Sequence, residues 1–369
     1  MRIVYCITAL GTGGAENLLT DLCYSFKDKH EITVVFFRDY RIYEQQIRDM
    51  GIETIYIPCT FKNLPSVILK VRGIIKKKRA QVVHTHLPLA DFIGRTAALT
   101  VRKVKIISSM HNSDPWKLRH TPPVLLLKLF NCLTVNLIPR IRLIAVSGSV
   151  KDFCKKHEWL RDKKIKVIYN FIEFENEAKI DGSFQPPFEK GDGFVLVTVA
   201  RLEENKGHTF LFDAVAQVSQ DERFRDIRLL VMGVGSQEEA FKAYVEERGM
   251  SEHIIFTGRK PNVYDYLRFS DLFVLASGNE GQSIAILEAF YCRLPVLASD
   301  ISANIEILKE GENGILFRYG DVDDLAQKIK SFAAYKYNTA LFTRNGYEFC
   351  DNLTRDRYTL LIDEFMRAK

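Results

Sequence analysis

The chain has 369 residues, 47% hydrophobic and 27% charged, a size and balance that suit a soluble protein of two domains with separate cores. Seven cysteines, scattered and never spaced as CxxC, argue against a disulfide framework or a zinc site and for a reducing compartment. The net charge of +6 hides an asymmetry: 29 Lys and Arg against 13 Asp and Glu in 1–172, then 23 against 33 in the remainder, so the two halves are expected to face different partners, the basic one anionic lipid or a phosphorylated substrate and neither one nucleic acid.

The opening MRIVYCITALG reads as a first core strand rather than a signal peptide, because the apolar run is short and a glycine turn follows at once. Further strands are expected at 32–37, 54–58, 82–85, 104–109, 143–147 and 166–170. Helices are expected between them at 14–26, 42–50, 64–78, 89–99, 124–135 and 149–157. The most apolar region, 123–146, is interrupted by Lys128, Arg140 and Arg142 and falls short of the ~20 apolar residues of a spanning helix. The stretch 64–79 is amphipathic, with Val67, Ile68, Val71, Ile74 and Ile75 beside Lys70, Arg72, Lys76, Lys77, Lys78 and Arg79. An ordinary surface helix is the preferred reading, and docking on a membrane surface the second.

The alternation stops at 173–193, a segment rich in acid, Pro and Gly that reads as an interdomain linker. It restarts with strands at 195–199, 228–232, 254–257, 272–276, 295–298 and 315–317. Helices are expected at 207–218, 237–247, 264–269, 283–290 and 322–332, and the tail 339–367 reads as helical. Apolar strands separated by helices imply parallel sheets covered on both faces. The expected architecture is α/β: two doubly wound domains, 1–172 and 194–350, facing across a cleft, with a C-terminal helix in 351–369 that crosses back to the first domain. Ligands of such sheets bind beyond the carboxyl ends of the strands.

Several motifs fall at those ends. GTGGAE, 11–16, follows the first strand and opens a helix, but its sixth residue, Glu16, breaks the dinucleotide fingerprint; Gly13 and Gly14 still allow a ligand close to the backbone. In HTH, 84–86, the two histidines share one face of a strand. A third metal ligand of matching spacing is missing, so His84 and His86 read as polar lining and as acceptor-side candidates. His111 lies just past another strand end. VARLEENKGH, 199–208, places Arg201 and Lys206 in a loop before a helix, where a fork and a point charge suit a diphosphate. GVGS, 233–236, is a strand-to-helix turn whose Gly233 is expected to let a nucleotide approach. EGQSIAILE, 280–288, carries two glutamates eight residues apart. That spacing does not put them on one helical stripe, so Glu280 is placed in a loop after a strand and Glu288 one or two turns into the next helix. The Gln282 and Ser283 amides then sit at a helix N-terminus, where they meet a phosphate or a sugar.

In this order of motifs the chain resembles the retaining nucleotide-sugar glycosyltransferases of family 4, which have the GT-B architecture, over essentially its whole length. Glu280 and Glu288 look like that family's E-x7-E pair. The resemblance implies that Glu280 contacts the donor sugar and Glu288 the ribose, with Arg201 and Lys206 on the diphosphate. It implies His111 on the sugar from the other domain, and Gly13 and Gly14 closing over the phosphates. Gly281, Gln282 and Ser283 complete the implied donor site. Arg201, Lys206 and the helix dipole would stabilise the departing diphosphate in place of a metal, so no cofactor is expected. Asp321 and Asp324 in DVDD are set aside as a metal motif, because they open a helix, where acids favour the dipole. The family commonly has an aromatic residue after the EG pair; Gln282 and Ser283 stand here instead, a change expected to alter sugar choice, for example toward an N-acetylated one.

The function so implied is transfer of a hexosyl or N-acetylhexosaminyl group from a nucleotide-sugar, a UDP-sugar first, to a lipid-linked or surface-glycan acceptor. The expected location is the cytoplasm, extending to the inner face of the membrane. A nucleotide-sugar epimerase of the same fold and a non-catalytic nucleotide-sugar-binding subunit are the alternatives. The glutamate pair speaks against the first, and the intact charged set His111, Arg201, Lys206, Glu280 and Glu288 against the second.

Overall fold

The computed structural model describes residues 1–11, 13–113, 121–172 and 184–368. The chain divides into two compact units, Met1–Asn170 with Asp356–Lys369, and Phe171–Arg355.

The first unit is built on seven strands: β1 (Arg2–Ile7), β2 (Glu31–Phe36), β3 (Glu53–Tyr56), β4 (Val82–His86), β5 (Lys105–Met110), β6 (Ile141–Ala145) and β7 (Ile165–Val167). All pair in parallel, in the order β3-β2-β1-β4-β5-β6-β7. Helices α1 (Gly14–Phe26), α2 (Glu44–Asp49), α3 (Leu64–Lys77), α4 (Pro88–Leu99), α5 (Pro122–Leu137) and α6 (Gly148–Glu158) make the crossovers. β1 is central, and its Ile3–Ile7 stretch is fully buried, as an apolar run covered on both faces should be. Chain order reverses between β1 and β4, which makes their carboxyl ends the switch point of the sheet.

The second unit repeats the plan. Strands β8 (Val195–Val199), β9 (Arg228–Met232), β10 (Ile254–Gly258), β11 (Leu272–Leu275), β12 (Val296–Ser299) and β13 (Ile315–Phe317) run parallel in the order β10-β9-β8-β11-β12-β13. Helices α7 (His208–Ser219), α8 (Glu238–Glu247), α9 (Val263–Phe269), α10 (Ile284–Tyr291), α11 (Ser302–Ile305), α12 (Val322–Ala333) and α13 (Thr339–Asp351) surround it. Its switch point lies between β8 and β11.

One expectation needs correction. The segment 173–193 is not a linker throughout. Its part 173–183 lies outside the described residues, but Phe184 and Phe188 pack edge-on against Tyr266 and Phe269 in the second unit. Acid and Pro content concealed two aromatic anchors. The tail 339–367 is helical in two pieces. α13 packs on α10, whereas α14 (Arg355–Arg367) belongs to the first unit. There His30 Nε2 meets Asp363 at 2.9 Å, and Lys105 Nζ donates to the carbonyls of Met366, Arg367 and Ala368 at 2.9, 2.9 and 2.6 Å, a cation on the negative end of the helix. Beside this exchange the chain is tied together: Ile172 N donates to Leu353 O at 2.9 Å. In line with the preferred reading of 64–79 as an ordinary surface helix, α3 turns Val67, Val71 and Ile75 into the core. Burial of each contributes about 1.5–3 kcal/mol, so its apolar stripe is used in packing rather than left for a membrane.

Candidate active site

At the second unit's switch point, two loops are stitched together. The first leaves β8. Leu202 is buried, and its N–H donates to Val234 O at 3.1 Å, which leaves Arg201 exposed beside it. A 3-10 turn, Glu204–Lys206, follows and ends on Gly207 at φ 68. A Cβ there would fall 2.1 Å from Ala276 O, so only glycine permits both the left-handed turn and the approach to the second loop. His208 then starts α7, with its Nε2 on Arg201 O at 3.0 Å. A carbonyl only accepts, so Nε2 carries the proton. Burial, partly offset by that bond, lowers the His208 pKa.

The second loop leaves β11. Ser299 Oγ donates to Ser277 O at 2.6 Å, and Asn304 Nδ2 donates to Ser299 O at 2.9 Å and to Ser299 Oγ at 3.1 Å, a buried polar brace under the strand ends. Gly278 N donates to Asn205 O at 2.9 Å, joining the loops. Tyr319 closes over Gly278, where a Cβ would lie 2.4 Å from its hydroxyl. The Ser283 side chain caps α10 by accepting from Ile286 N at 3.3 Å. Glu280 thus stands in the loop before the helix, and Glu288 in the second turn of α10, 8% exposed. Gly281, Gln282 and Ser283 are buried between them.

The structure brings Lys206 and Glu280 together: Nζ to Oε1 is 2.7 Å, with the two side chains 11% and 14% exposed. Nζ also donates to Asn279 O at 3.3 Å. An ammonium has three N–H groups, so one remains for a further acceptor. The sequence reading gave Lys206 and Glu280 separate partners; here each is the other's. Gly233, at φ 144, accommodates the carbonyl of Ala200, 2.0 Å from where a Cβ would stand. Glycine is thus required there by the protein's own backbone.

In the first unit, Gly13 caps α1 and Gly14 is its first residue. A Cβ on Gly13 would meet Glu16 Oε2 at 2.3 Å, so a flexible carboxylate occupies that space. His84 and His86 are fully buried, so neither lines an open surface; strand alternation told that they share a face, not that the face is sealed. His84 Nε2 bonds Ser109 Oγ at 2.8 Å, and His86 Nδ1 bonds His111 Nε2 at 3.0 Å. Burial pulls His84 down to about 3 and His86 well below its ordinary value; burial also pulls His111 to about 4. All three are neutral at pH 7, so His111 offers a hydrogen bond and no charge.

His111 reaches a pocket of about 500 Å³ of empty space, part of it open, at the carboxyl ends of β4 and β5, with Asp91, Phe92, Leu127 and Asn131 also in its wall. Sequence reading missed this site. Under it, Arg95 is buried and pairs with Asp91, Ser108 Oγ at 3.2 Å and Asn131 Oδ1 at 3.1 Å. Burial would raise the Asp91 pKa, but the Arg95 charge and bonds from Ser108 and Thr85 outweigh it and hold the carboxylate ionised. The available signal was the i, i+4 acid–base pair directly after HTHLP.

Asp321 caps α12 by accepting from Asp324 N at 3.0 Å, so DVDD serves the helix start.

Comparison with known proteins bears on these two units separately. The family described as "Glycosyltransferase Family 4" matches residues 12–176, and that described as "Glycosyl transferases group 1" matches 179–349. The chain is 24% identical over 298 residues to UDP-Gal:alpha-D-GlcNAc-diphosphoundecaprenol alpha-1,3-galactosyltransferase of Escherichia coli, covering 76% of this chain and 75% of the other. It is 24% identical over 346 residues to N-acetylgalactosamine-N,N'-diacetylbacillosaminyl-diphospho-undecaprenol 4-alpha-N-acetylgalactosaminyltransferase of Campylobacter jejuni, covering 88% of each. Anabaena HepE, solved in complex with UDP-glucose, matches with a TM-score of 0.82 at 20% identity over all of both chains.

Proposed function

The chain belongs to glycosyltransferase family 4, is a glycosyltransferase and has the GT-B fold, and from that membership we propose that it moves a hexosyl or N-acetylhexosaminyl group from a UDP-sugar to a lipid-linked or surface-glycan acceptor. The observation that carries this reading is the Lys206–Glu280 pair at the second unit's switch point, beside the Ser283-capped start of α10. Departure of UDP builds negative charge on its terminal phosphate. The third N–H of Lys206 and the amides opening α10 are donors held in place before the reaction, which is where electrostatic stabilisation is most effective, and exposed Arg201 adds a cation beside them. Glu280 accepts from sugar hydroxyls and Glu288 from the ribose. The relatives' diphospho-undecaprenol acceptors and UDP-linked donor support the substrate classes.

On this reading transfer proceeds with retention and needs no metal, since the donor's charge is met by side chains and amides. Neutral His111 hydrogen-bonds a sugar hydroxyl. Gln282 and Ser283 favour a donor with an extra polar group. The test is nucleotide release from UDP-, GDP- and ADP-sugars, with EDTA, with and without a polyprenyl-diphosphate-sugar acceptor, followed by NMR of the anomeric linkage. Release from a UDP-sugar that resists EDTA, rises with acceptor, gives retained configuration and is lost in Glu288→Ala supports the whole reading. Loss with EDTA, or an inverted product, refutes the mechanism, and an unchanged donor profile in Gln282→Phe refutes the specificity claim.

A further inference from the structure

Helix α5 is built inside out. Its inward positions carry Lys128, 4% exposed, and Asn131, 8% exposed, with Val135, whereas Leu125, Leu126, Leu129, Leu133 and Leu137 stand between 38% and 68% exposed. The spacing of the last four, three then four then four residues, places them on one stripe. A helix that meets water has the opposite pattern, and a contiguous apolar face of this kind marks an interaction surface. The helix is 16 residues long, and no helix among the described residues is long and apolar enough to cross a membrane, so this face suits lying on an apolar layer rather than spanning one.

What borders the stripe says which layer. α5 contains no acidic residue. The turn after α6 runs against its C-terminal half: Asn136 Nδ2 donates to Trp159 O at 2.9 Å, and Arg161 N donates to Asn136 Oδ1 at 2.9 Å. Trp159 is half exposed, held in a left-handed turn at φ 55, with Lys128 Nζ 5.9 Å from its ring centre. An indole at such an edge is typical of the headgroup level of a bilayer. Lys156, Arg161 and Lys163 are exposed on this segment, and from 121 to 172 the sequence has ten Lys and Arg against three Asp and Glu. Two copies of this face would bring these cations against each other under a two-fold axis. A bilayer with anionic headgroups would neutralise them.

We propose that the α5 leucine stripe, with Trp159 at its edge and Lys156, Arg161 and Lys163 beside it, is the surface by which this protein docks on an anionic bilayer. The leucines enter the acyl boundary, the indole sits among the headgroups, and the cations meet lipid phosphates. The docking surface is α5 and not the basic helix α3, whose stripe is consumed by the core. The Leu127 and Asn131 walls of the first-unit pocket lie on the same helix, so docking would place that pocket beside the lipid surface.

The test is co-sedimentation of the full chain with vesicles of phosphatidylcholine alone and of phosphatidylcholine with phosphatidylglycerol, with tryptophan emission followed in parallel. Binding to the anionic vesicles with a blue shift is expected. Leu126→Ser/Leu129→Ser/Leu133→Ser should weaken partition by roughly tenfold or more, and Lys156→Glu/Arg161→Glu/Lys163→Glu should abolish the preference for anionic lipid. The substituted side chains are exposed, and an unchanged thermal transition confirms that the variants fold. Wild type that binds neither vesicle overturns the proposal, as do variants that bind like wild type. So does a wild-type dimer in light scattering that the leucine variant makes monomeric without any vesicle binding; the stripe would then be a self-interface. Sugar transfer enters none of these readouts, so failure here leaves the glycosyltransferase reading standing, and failure of that reading leaves vesicle binding measurable.

Discussion

Mild acid should unfold the first unit through its histidines. As pH falls below about 6.5, the unfolded chain protonates its histidines, while His84, sealed in the interior and pulled to about 3, stays neutral. The unfolded state therefore binds the extra proton and gains on the folded one. Between pH 7 and pH 5 this removes about 2 kcal/mol for His84 alone. His86 acts in the same direction. His111, at about 4, adds up to a similar amount, reduced where its open face meets water. The first unit's carboxylates with lowered values, Glu44, Asp91, Asp162 and Asp363, lose their contribution only below about pH 4.5, so between pH 7 and pH 5 the histidines dominate. The assay is urea unfolding at pH 7 and pH 5. Both tryptophans lie within 1–170, so their emission reports this unit apart from the other. His84→Gln can keep a hydrogen bond to Ser109, and it should lose about 2 kcal/mol less than wild type over the same interval. Equal losses in the two proteins would refute the reasoning.

Lys206→Ala leaves Glu280 without its cation and the leaving group without a donor, and nucleotide release should fall about 100-fold or more. A double-mutant cycle with Glu280→Gln, read by denaturation, should give a coupling of about 1–3 kcal/mol. Gly207→Ala meets both a positive φ and a carbonyl 2.1 Å away, and should destabilise the second unit by about 2 kcal/mol or more in far-ultraviolet circular dichroism. Gly51→Ala, also at positive φ but with nothing within 4 Å, should cost only about 1 kcal/mol. Lys105→Met removes three bonds from the end of α14 and should speed amide exchange across 355–368, with a loss of about 1–2 kcal/mol.

Much of this architecture was legible in the residues. Apolar runs between amphipathic ones gave both sheets, and the placement of Glu280 in a loop and Glu288 inside α10 followed from spacing alone. The Arg201 and Lys206 loop likewise fell where β8 ends. What escaped notice depends on distance in space rather than in sequence. Lys206 and Glu280 are 74 residues apart and meet only because chain order reverses between β8 and β11. HTH showed that two histidines share a face, but their neighbours on that face, Tyr5 of β1, Ser109 of β5 and His111 just past it, are distant in sequence. The α5 leucines registered only as an apolar run too interrupted to span a membrane, because hydrophobicity without a partner has the same spelling as hydrophobicity with one. The short α11 has only four residues, too few for a helical period to register, yet its Asn304 braces the site loop.

The return of α14 to the first unit has a consequence for how this chain is made. The second unit is an insertion: the first is interrupted after Asn170 and resumes at Asp356. During synthesis, which runs from the N-terminus, the β1–β7 sheet emerges without the helix that supplies Asp363 to His30 and the carbonyls to Lys105. That sheet must wait, incomplete, through the translation of the whole second unit, on the order of ten to forty seconds at typical elongation rates. The Ile172–Leu353 hydrogen bond closes the insertion at its base, so the later-made unit can fold as a loop with joined ends before the earlier one is finished. Any ribosome stall before Arg355 would release a nascent chain whose oldest part is the less complete.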